Sequence, residues 1–449
     1  MRDLGASVTD WLSQLRSSYG FLPAVMATVT VLIAIAALSA PPGWGAALAE
    51  AVGLPPAPGV DAMRDLMSLI ASATIGTGAV AFSVIVAASV TAAGQYGPRL
   101  LTNFLADRAT QVTLGVFVSS FVYALIVYAA IRDETPGYGI AGIVAMVFAL
   151  ASVAALIYFL HHAPSALRIN QAVSKIGRSL LKNAGTRFPG TCGHAVCPED
   201  LDAAAARYQA RGPSFPLFAA EAGIVSIIDG EKLSLIAERA DALVVLRTRP
   251  GDFLVPGQPI ADVHAMAVPE GDCLNELRSA FAVAKLRTPS QDIEFLADEL
   301  TEIAMRALSS GINDPYTAIA CMQWLGAALA EIARTPDPIP YRRSEEGGFR
   351  VYVEPLGFAS YLEGTMGRIR QVSATNVRAA EGHLAALAHA AVGAVDNERA
   401  MGALEAEARA LLAQARIALD GPDLKAVEAC GARFDTVVSE SPPALDKFR

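Results

Sequence analysis

Residues 65–94 read DLMSLIASATIGTGAVAFSVIVAASVTAAG and carry no charge after Asp65. A run of that length satisfies the roughly 20 apolar residues that a membrane-crossing helix needs. It is not uniformly greasy. Ser68, Ser72, Gly76, Ala79, Ser83 and Ala87 recur at steps of three or four and so share one helical face. Small residues on one face let helix backbones approach closely inside a bilayer. Two readings follow. In one the face packs tightly against the other spans; in the other its hydroxyls line a polar path, with Ser72, Gly76, Thr77 and Ser83 as the candidate lining.

Three further runs match this one in length and lack of charge, so spans are expected at about 21–40, 66–94, 110–131 and 139–160. The chain has 449 residues, 53% of them hydrophobic, and all its long uncharged runs precede residue 165. That asymmetry describes a four-helix membrane domain (21–162) followed by a large soluble part. A net charge of -9 argues against a general nucleic-acid role. Five scattered cysteines make no disulfide framework and fit a reducing compartment. Residues 1–20 mix charges with apolar positions, as a short amphipathic surface helix does. The first apolar run ends in a cleavage-like Ala-Leu-Ser-Ala, but it is nearly as long as a span and is read as one that stays.

Orientation follows from Lys and Arg in the short flanking segments. Arg2, Arg16, Arg99, Arg108, Arg168, Lys175, Arg178, Lys182 and Arg187 fall on one side, and only Arg64 and Arg132 on the other. Both termini are therefore expected in the cytoplasm of a cell with this chain in its inner membrane. The Pro/Gly-rich loop 41–63 would be extracytoplasmic, with a short helix near 46–52. His161 and His162 end the last span as interfacial anchors. Between the second and third spans, Gly97-Pro98 breaks the helix, and Pro98 is suited to start a short one. Gly97, Pro98, Arg99, Asp107 and Arg108 form a candidate elbow coupling membrane and soluble parts.

The soluble part is read in three pieces. Residues 163–214 give a basic amphipathic helix and a linker, in which the two thiols of Cys192 and Cys197 and the imidazole of His194 offer three candidate metal ligands without an evident fourth. Residues 215–268 alternate short strands with Gly/Pro turns and resemble a small β barrel-sandwich module of the lipoyl or biotinyl kind. The hairpin that carries a modified lysine is missing, so no cofactor is expected. Residues 269–449 are helical. Thr288, Pro289 and Gln291 have the spacing of a capping box opening a helix at about 289–308. That helix is acidic, and Asp292, Arg306, Asn313 and Asp314 form a candidate polar cluster. Asp314 is also a natural N-cap for the following helix. Ala-rich helices at about 355–372, 374–393, 397–418 and 422–439 describe a bundle. No phosphate-binding loop, dinucleotide fingerprint, zinc-protease motif or serine elbow occurs.

Tyr96-Gly97-Pro98-Arg99, Asp107-Arg108, Thr110-Gln111 and Leu114-Gly115, with Arg287-Thr288-Pro289, Gln291-Asp292, Ala307-Leu308-Ser309 and the run from Gly311 to Pro315, resemble the bacterial membrane-protein family named Domain of Unknown Function 2254. The similarity covers roughly residues 20–440. It implies four spans followed by a cytoplasmic region and carries over no catalytic residue. The function expected is that of an oligomeric channel or transport-type protein with a cytoplasmic regulatory domain, its partners being membrane lipids and further copies of itself. A membrane-anchored scaffold is the first alternative. A membrane-bound enzyme using the acidic helix and the Asn313-Asp314 loop is the second. The spans lack internal charges, which an ion-coupled pump would normally place there.

Overall fold

A computed structural model of the chain describes residues 20–53, 55, 57–97, 108–132, 135–166, 168–267 and 271–440. It divides into two compact units, Met1–Ala172 and Val173–Arg449.

The first unit contains α1 (Phe21–Leu38), α2 (Trp44–Val52), α3 (Val60–Tyr96), α4 (Arg108–Ala130) and α5 (Tyr138–Ala166). Four of these, all but α2, are long and apolar enough to cross a membrane. Their limits agree with the hydropathy of the sequence, because uncharged length alone decides where a span can lie. The short helix expected in the first loop is α2, closed at both ends by Gly43 and Gly53 in left-handed backbone. Of the four long helices α4 is the central one: 44% of its apolar window is buried, against 22–28% in the others. It packs on α1, α3 and α5. Two glycines permit this. A Cβ at Gly115 would sit 2.4 Å from the Met26 sulfur, and one at Gly78 would sit 3.0 Å from Phe117. The apolar core gathers Met63, Met67, Tyr123, Val127, Ile131 and Ala141. Tyr123 stacks on Phe148 and donates its hydroxyl to the Ala141 carbonyl at 3.0 Å.

In the second unit α6 (Ile169–Ala184), whose first residues belong to the preceding unit, is amphipathic and buries Val173, Ile176, Gly177 and Leu180. Gly177 lies directly against the Trp324 ring. Strands β1 (His194–Ala195), β2 (Ser214–Phe218), β3 (Gly223–Ile228), β4 (Leu243–Leu246), β5 (Phe253–Leu254), β6 (Pro259–His264), β7 (Phe281–Ala284), β8 (Tyr341–Arg343) and β9 (Phe349–Tyr352) accompany helices α7 (Leu201–Gln209), α8 (Gly230–Arg239) and α9 (Gly271–Arg278).

These strands do not close into the expected barrel-sandwich. They form two open sheets, one of six strands ordered β1-β8-β9-β4-β6-β2 and one of three ordered β5-β3-β7. The reason is non-local pairing. β4 takes a parallel partner, β9, from more than a hundred residues downstream, with Val244 opposite Val351. β3 takes β7, with Val225 opposite Val283. A module confined to 215–268 therefore misses four of the nine strands. The hairpin β8–β9 carries Glu345, Glu346, Gly347 and Gly348 at its turn.

The helical part comprises α10 (Ile293–Ala307), α11 (Pro315–Arg334), α12 (Phe358–Leu362), α13 (Arg368–Ser373), α14 (Val377–Ala391), α15 (Glu398–Ala418) and α16 (Gly421–Glu440). A π-helical turn, Glu363–Gly367, joins α12 to α13. Alanines let α14 sit in the middle. Its Ala386 carbonyl would be 2.5 Å from a Cβ at Gly326 of α11, and Gly393 is tighter still against Ala330. Asn376 and Asn397 cap α14 and α15 through their side chains, each accepting a backbone N–H at 3.1 Å.

The capping box at Thr288 is corrected. Residues 289–291 form a turn, and α10 starts at Ile293 with Asp292 as N-cap, its Oδ1 accepting from Phe295 N at 3.0 Å. Gln291 is used elsewhere. Its side-chain amide accepts from Ile228 N at 2.8 Å and donates to Ile228 O at 3.2 Å, filling the end of β3 as another strand would.

Candidate functional site

The small-residue face of α3 points out of the first unit. Ser68, Ser72, Gly76, Ala79, Ser83 and Ala87 are all exposed, and Thr77 is half-buried. A Cβ at Gly76 would meet nothing within 4 Å. The helix instead packs inward through Met63, Met67, Ile70, Thr74, Gly78, Ala81 and Ile85. The expectation that the small face packs against the chain's other spans is therefore corrected: within one chain, larger residues fill that role. Ser83 satisfies its hydroxyl on its own helix, donating to Ala79 O at 2.8 Å. At about 1.5 Å per residue, α3 is roughly 55 Å long, well beyond a hydrocarbon core of about 30 Å.

A second polar feature lies inside this unit. Ser120 of α4 and Ser152 of α5 sit 2.7 Å apart, and both hydroxyls reach the Phe148 carbonyl. Nearby Ser119 is buried with its hydroxyl unpaired, as is Ser89 on α3. Packing of α4 on α5 joins Ser120 and Ser152, which belong to separate spans. Arg64 and Arg132 both donate to the Ile131 carbonyl, at 3.0 Å each, just beyond the C-terminus of α4 where cations are favoured.

Of the elbow, Gly97 is described and has φ of +127°, a conformation that favours glycine. Arg108 opens α4. Pro98, Arg99 and Asp107 lie outside the described residues, as does the segment 1–19.

The polar cluster of the second unit divides in two. Asp292 is at the N-terminus of α10, whereas Arg306, Asn313 and Asp314 are at its other end. Fifteen residues of helix separate them, about 22 Å. Asp292 grips Arg287 with both oxygens, at 2.8 and 3.0 Å. Asp298 takes the same guanidinium at 2.5 Å and also accepts from Arg368 at 2.9 Å. Burial opposes the Arg287 charge, but these two carboxylates outweigh it and raise its pKa. Gly251 makes the approach possible: its φ is +97°, and a Cβ there would meet the Asp292 carboxylate at 2.5 Å. At the other end, Arg306 pairs with Glu302 of its own helix at 3.2 Å. Asp314 caps α11 by accepting from Thr317 N at 3.1 Å and from its hydroxyl at 2.6 Å.

Cys192, His194 and Cys197 point apart. Cys192 is fully buried against Gly230, and burial pushes its thiol up to about 12. His194 faces Glu231 at 3.9 Å, and Cys197 faces Arg343 at 3.9 Å. Among the described residues no three His, Cys, Asp or Glu side chains are grouped to hold a metal ion.

One network was not visible in the sequence. Ser373 at the end of α13, His383 on α14 and Glu407 on α15 are all buried. The Ser373 hydroxyl lies 2.9 Å from His383 Nδ1, and Glu407 faces the Nε2 side at 3.7 Å. Arg370 bonds to Glu407 and has Glu363 at 3.8 Å. Burial, with the Arg370 charge, holds His383 down at about 3. Burial pushes Glu407 up to about 6 despite that arginine. These residues sit in Ala-rich helices at spacings that mark no motif, so only the packing of three helices brings them together.

Four membrane-length helices followed by a two-sheet and helical unit define a polytopic helical membrane protein with a large second unit of mixed α and β structure. Residues 16–389 match the family described as predicted membrane protein DUF2254, and the chain belongs to that family. Uncharacterized proteins of Mycobacterium bovis and Mycobacterium tuberculosis are each 28% identical to it over 402 residues, covering 85% of this chain and 74% of the relative. No solved structure matches it.

Proposed function

We propose that the chain forms a homo-oligomer in the inner membrane, with the small-residue face of α3 meeting its counterparts around a polar path for an ion or small solute. The observation that carries this is the outward placement of Ser68, Ser72, Gly76 and Ser83 on a membrane-length helix that packs inward through Met63, Met67, Ile70, Gly78 and Ile85. Small residues are what close helix–helix contact in a bilayer uses. The larger exposed side chains, such as Leu32, Val147, Leu150 and Ile157, suit lipid. In this reading both termini are cytoplasmic and the second unit regulates the path. The alternative enzyme would use the acidic helix and the Asn313-Asp314 loop, and it gains no support from the candidate polar cluster, because the length of α10 keeps Asp292 away from Arg306, Asn313 and Asp314.

The five native cysteines all lie in the second unit, so a cysteine placed in α3 of a cysteine-free variant reports on that helix alone. Cross-linking between copies through Ser72→Cys, together with ion flux in liposomes that Gly76→Leu and Ser83→Leu block in an intact oligomer, is the expected result. A strict monomer, or normal flux with leucine at both positions, overturns the proposal.

A further inference from the structure

Beside the buried network runs a cleft of about 600 Å³ between the π-helical turn, α13 and the C-terminal end of α15. Arg368, Arg370, Gln371 and Gln414 give it polar walls, and Met305 and Ile417 give it apolar ones. Ile417 is 89% exposed, an unusual position for a large aliphatic side chain.

Three observations say what this cleft is built to take. Arg370 Nε and Gln414 Oε1 are buried and have no hydrogen-bond partner, and both residues line the cleft. Buried polar atoms are nearly always satisfied, so an unpaired donor and an unpaired acceptor on two residues that line one cleft mark its wall as a place for a polar group. Next, Arg370 is anchored on one side by the buried Glu407 and is only loosely met by Glu363, which is 69% exposed and 3.8 Å away. Finally, the Glu363 carboxylate folds over Gly367, where a Cβ would come within 2.5 Å of it, and Gly367 also lines the cleft. The chain's own carboxylate thus rests at the guanidinium that opens into the cleft.

We propose that this cleft is a binding site for a small organic acid with an apolar body. Its carboxylate replaces that of Glu363 on Arg370, with Arg368 alongside, and its apolar part packs on Met305 and Ile417. A guanidinium already held from behind by a carboxylate is fixed in orientation, which suits recognition of a second carboxylate. Glu363 then acts as a built-in competitor. The proposal does not depend on any conducting role of the membrane unit.

The test uses the full chain in nanodiscs, titrated calorimetrically with benzoate and with acetate, empty nanodiscs serving as the blank. Benzoate is expected to bind more tightly than acetate. Glu363→Gln, which keeps the side-chain shape, is expected to tighten benzoate about five-fold, because a self-occupied site loses affinity in proportion to the occupied fraction. Arg368→Gln and Ile417→Asp, both at exposed positions, are expected to weaken it. A gain from Glu363→Gln cannot come from damage to the fold. Benzoate binding that is undetectable in both wild type and Glu363→Gln, or unchanged in Glu363→Gln, or unchanged in both Arg368→Gln and Ile417→Asp, overturns the proposal.

Discussion

Asp292 holds Arg287 through two parallel bonds of 2.8 and 3.0 Å while its Oδ1 also caps α10 by accepting from Phe295 N. One carboxylate therefore fixes a helix start and a buried cation together. Removing Asp292 takes away the helix cap and two of the carboxylate bonds to Arg287 but leaves Asp298 on the guanidinium, at a cost of about 1–3 kcal/mol. Asp292→Ala is expected to destabilise the second unit by about that amount, and Arg287→Lys by less, because an ammonium keeps the charge but not the fork. Urea unfolding in micelles of the full chain with Trp11 and Trp44 replaced by Phe, followed by the emission of Trp324, measures both. No loss in Arg287→Lys would mean that the fork geometry contributes nothing, and a loss equal to that of Asp292→Ala that it carries the whole interaction.

Gly115 and Gly76 test two faces of the membrane unit. A side chain at Gly115 must displace Met26, whereas one at Gly76 enters open space. Gly115→Leu is expected to cost about 1–3 kcal/mol or to prevent folding of the unit. Gly76→Leu is expected to leave both the single-chain fold and the size of the oligomer unchanged. Protease resistance of each purified variant, set beside its size in native gels, separates the two effects.

His383 sets an acid limit on stability. Its folded pKa, about 3, lies below the unfolded value of about 6.5. The unfolded chain therefore binds the extra proton first, and stability is lost as pH falls from about 6.5 toward 3. Glu407, raised to about 6, contributes with the opposite sign, losing stability as pH rises between its unfolded value of about 4.5 and 6. Arg370 and Glu363 are the other charged groups at this network. His383→Asn keeps an acceptor toward Ser373 and removes the imidazole titration. Between pH 7 and pH 5 the wild type is expected to lose about 2 kcal/mol more than this variant. Denaturation midpoints at the two pH values check it, and parallel losses would show that His383 is not the group responsible.

Asn313 has φ of +51° between α10 and α11. Asn and Gly tolerate that conformation and a β-branched residue does not. Asn313→Gly is expected to be close to neutral, and Asn313→Val to cost about 1–2 kcal/mol. The same unfolding assay reads both; similar costs for the two would point to a role for the Asn side chain instead.

The four spans, the short helix α2, the cap at Asp314 and the C-terminal helical part were legible because each depends on residues close in the chain. Uncharged length marks a span, and a side-chain oxygen beside a helix start marks a cap. The sheets were not legible, since β4 pairs with β9 and β3 with β7 across long intervals, and short apolar runs carry no label for their partners. The start of α10 was misplaced for a related reason: Gln291 had the spacing of a capping residue, but the free end of β3 claimed it. The small-residue stripe of α3 was visible as a stripe, yet its direction was settled only when α4 packed against Met67, Ile70 and Gly78. The Ser373–His383–Glu407–Arg370 network left no trace in the sequence. Periodicity and spacing are one-dimensional and determined this protein's class and helices; the outward face of α3, the sheet order and the buried network depend on which surfaces meet, and only the tertiary structure decides that.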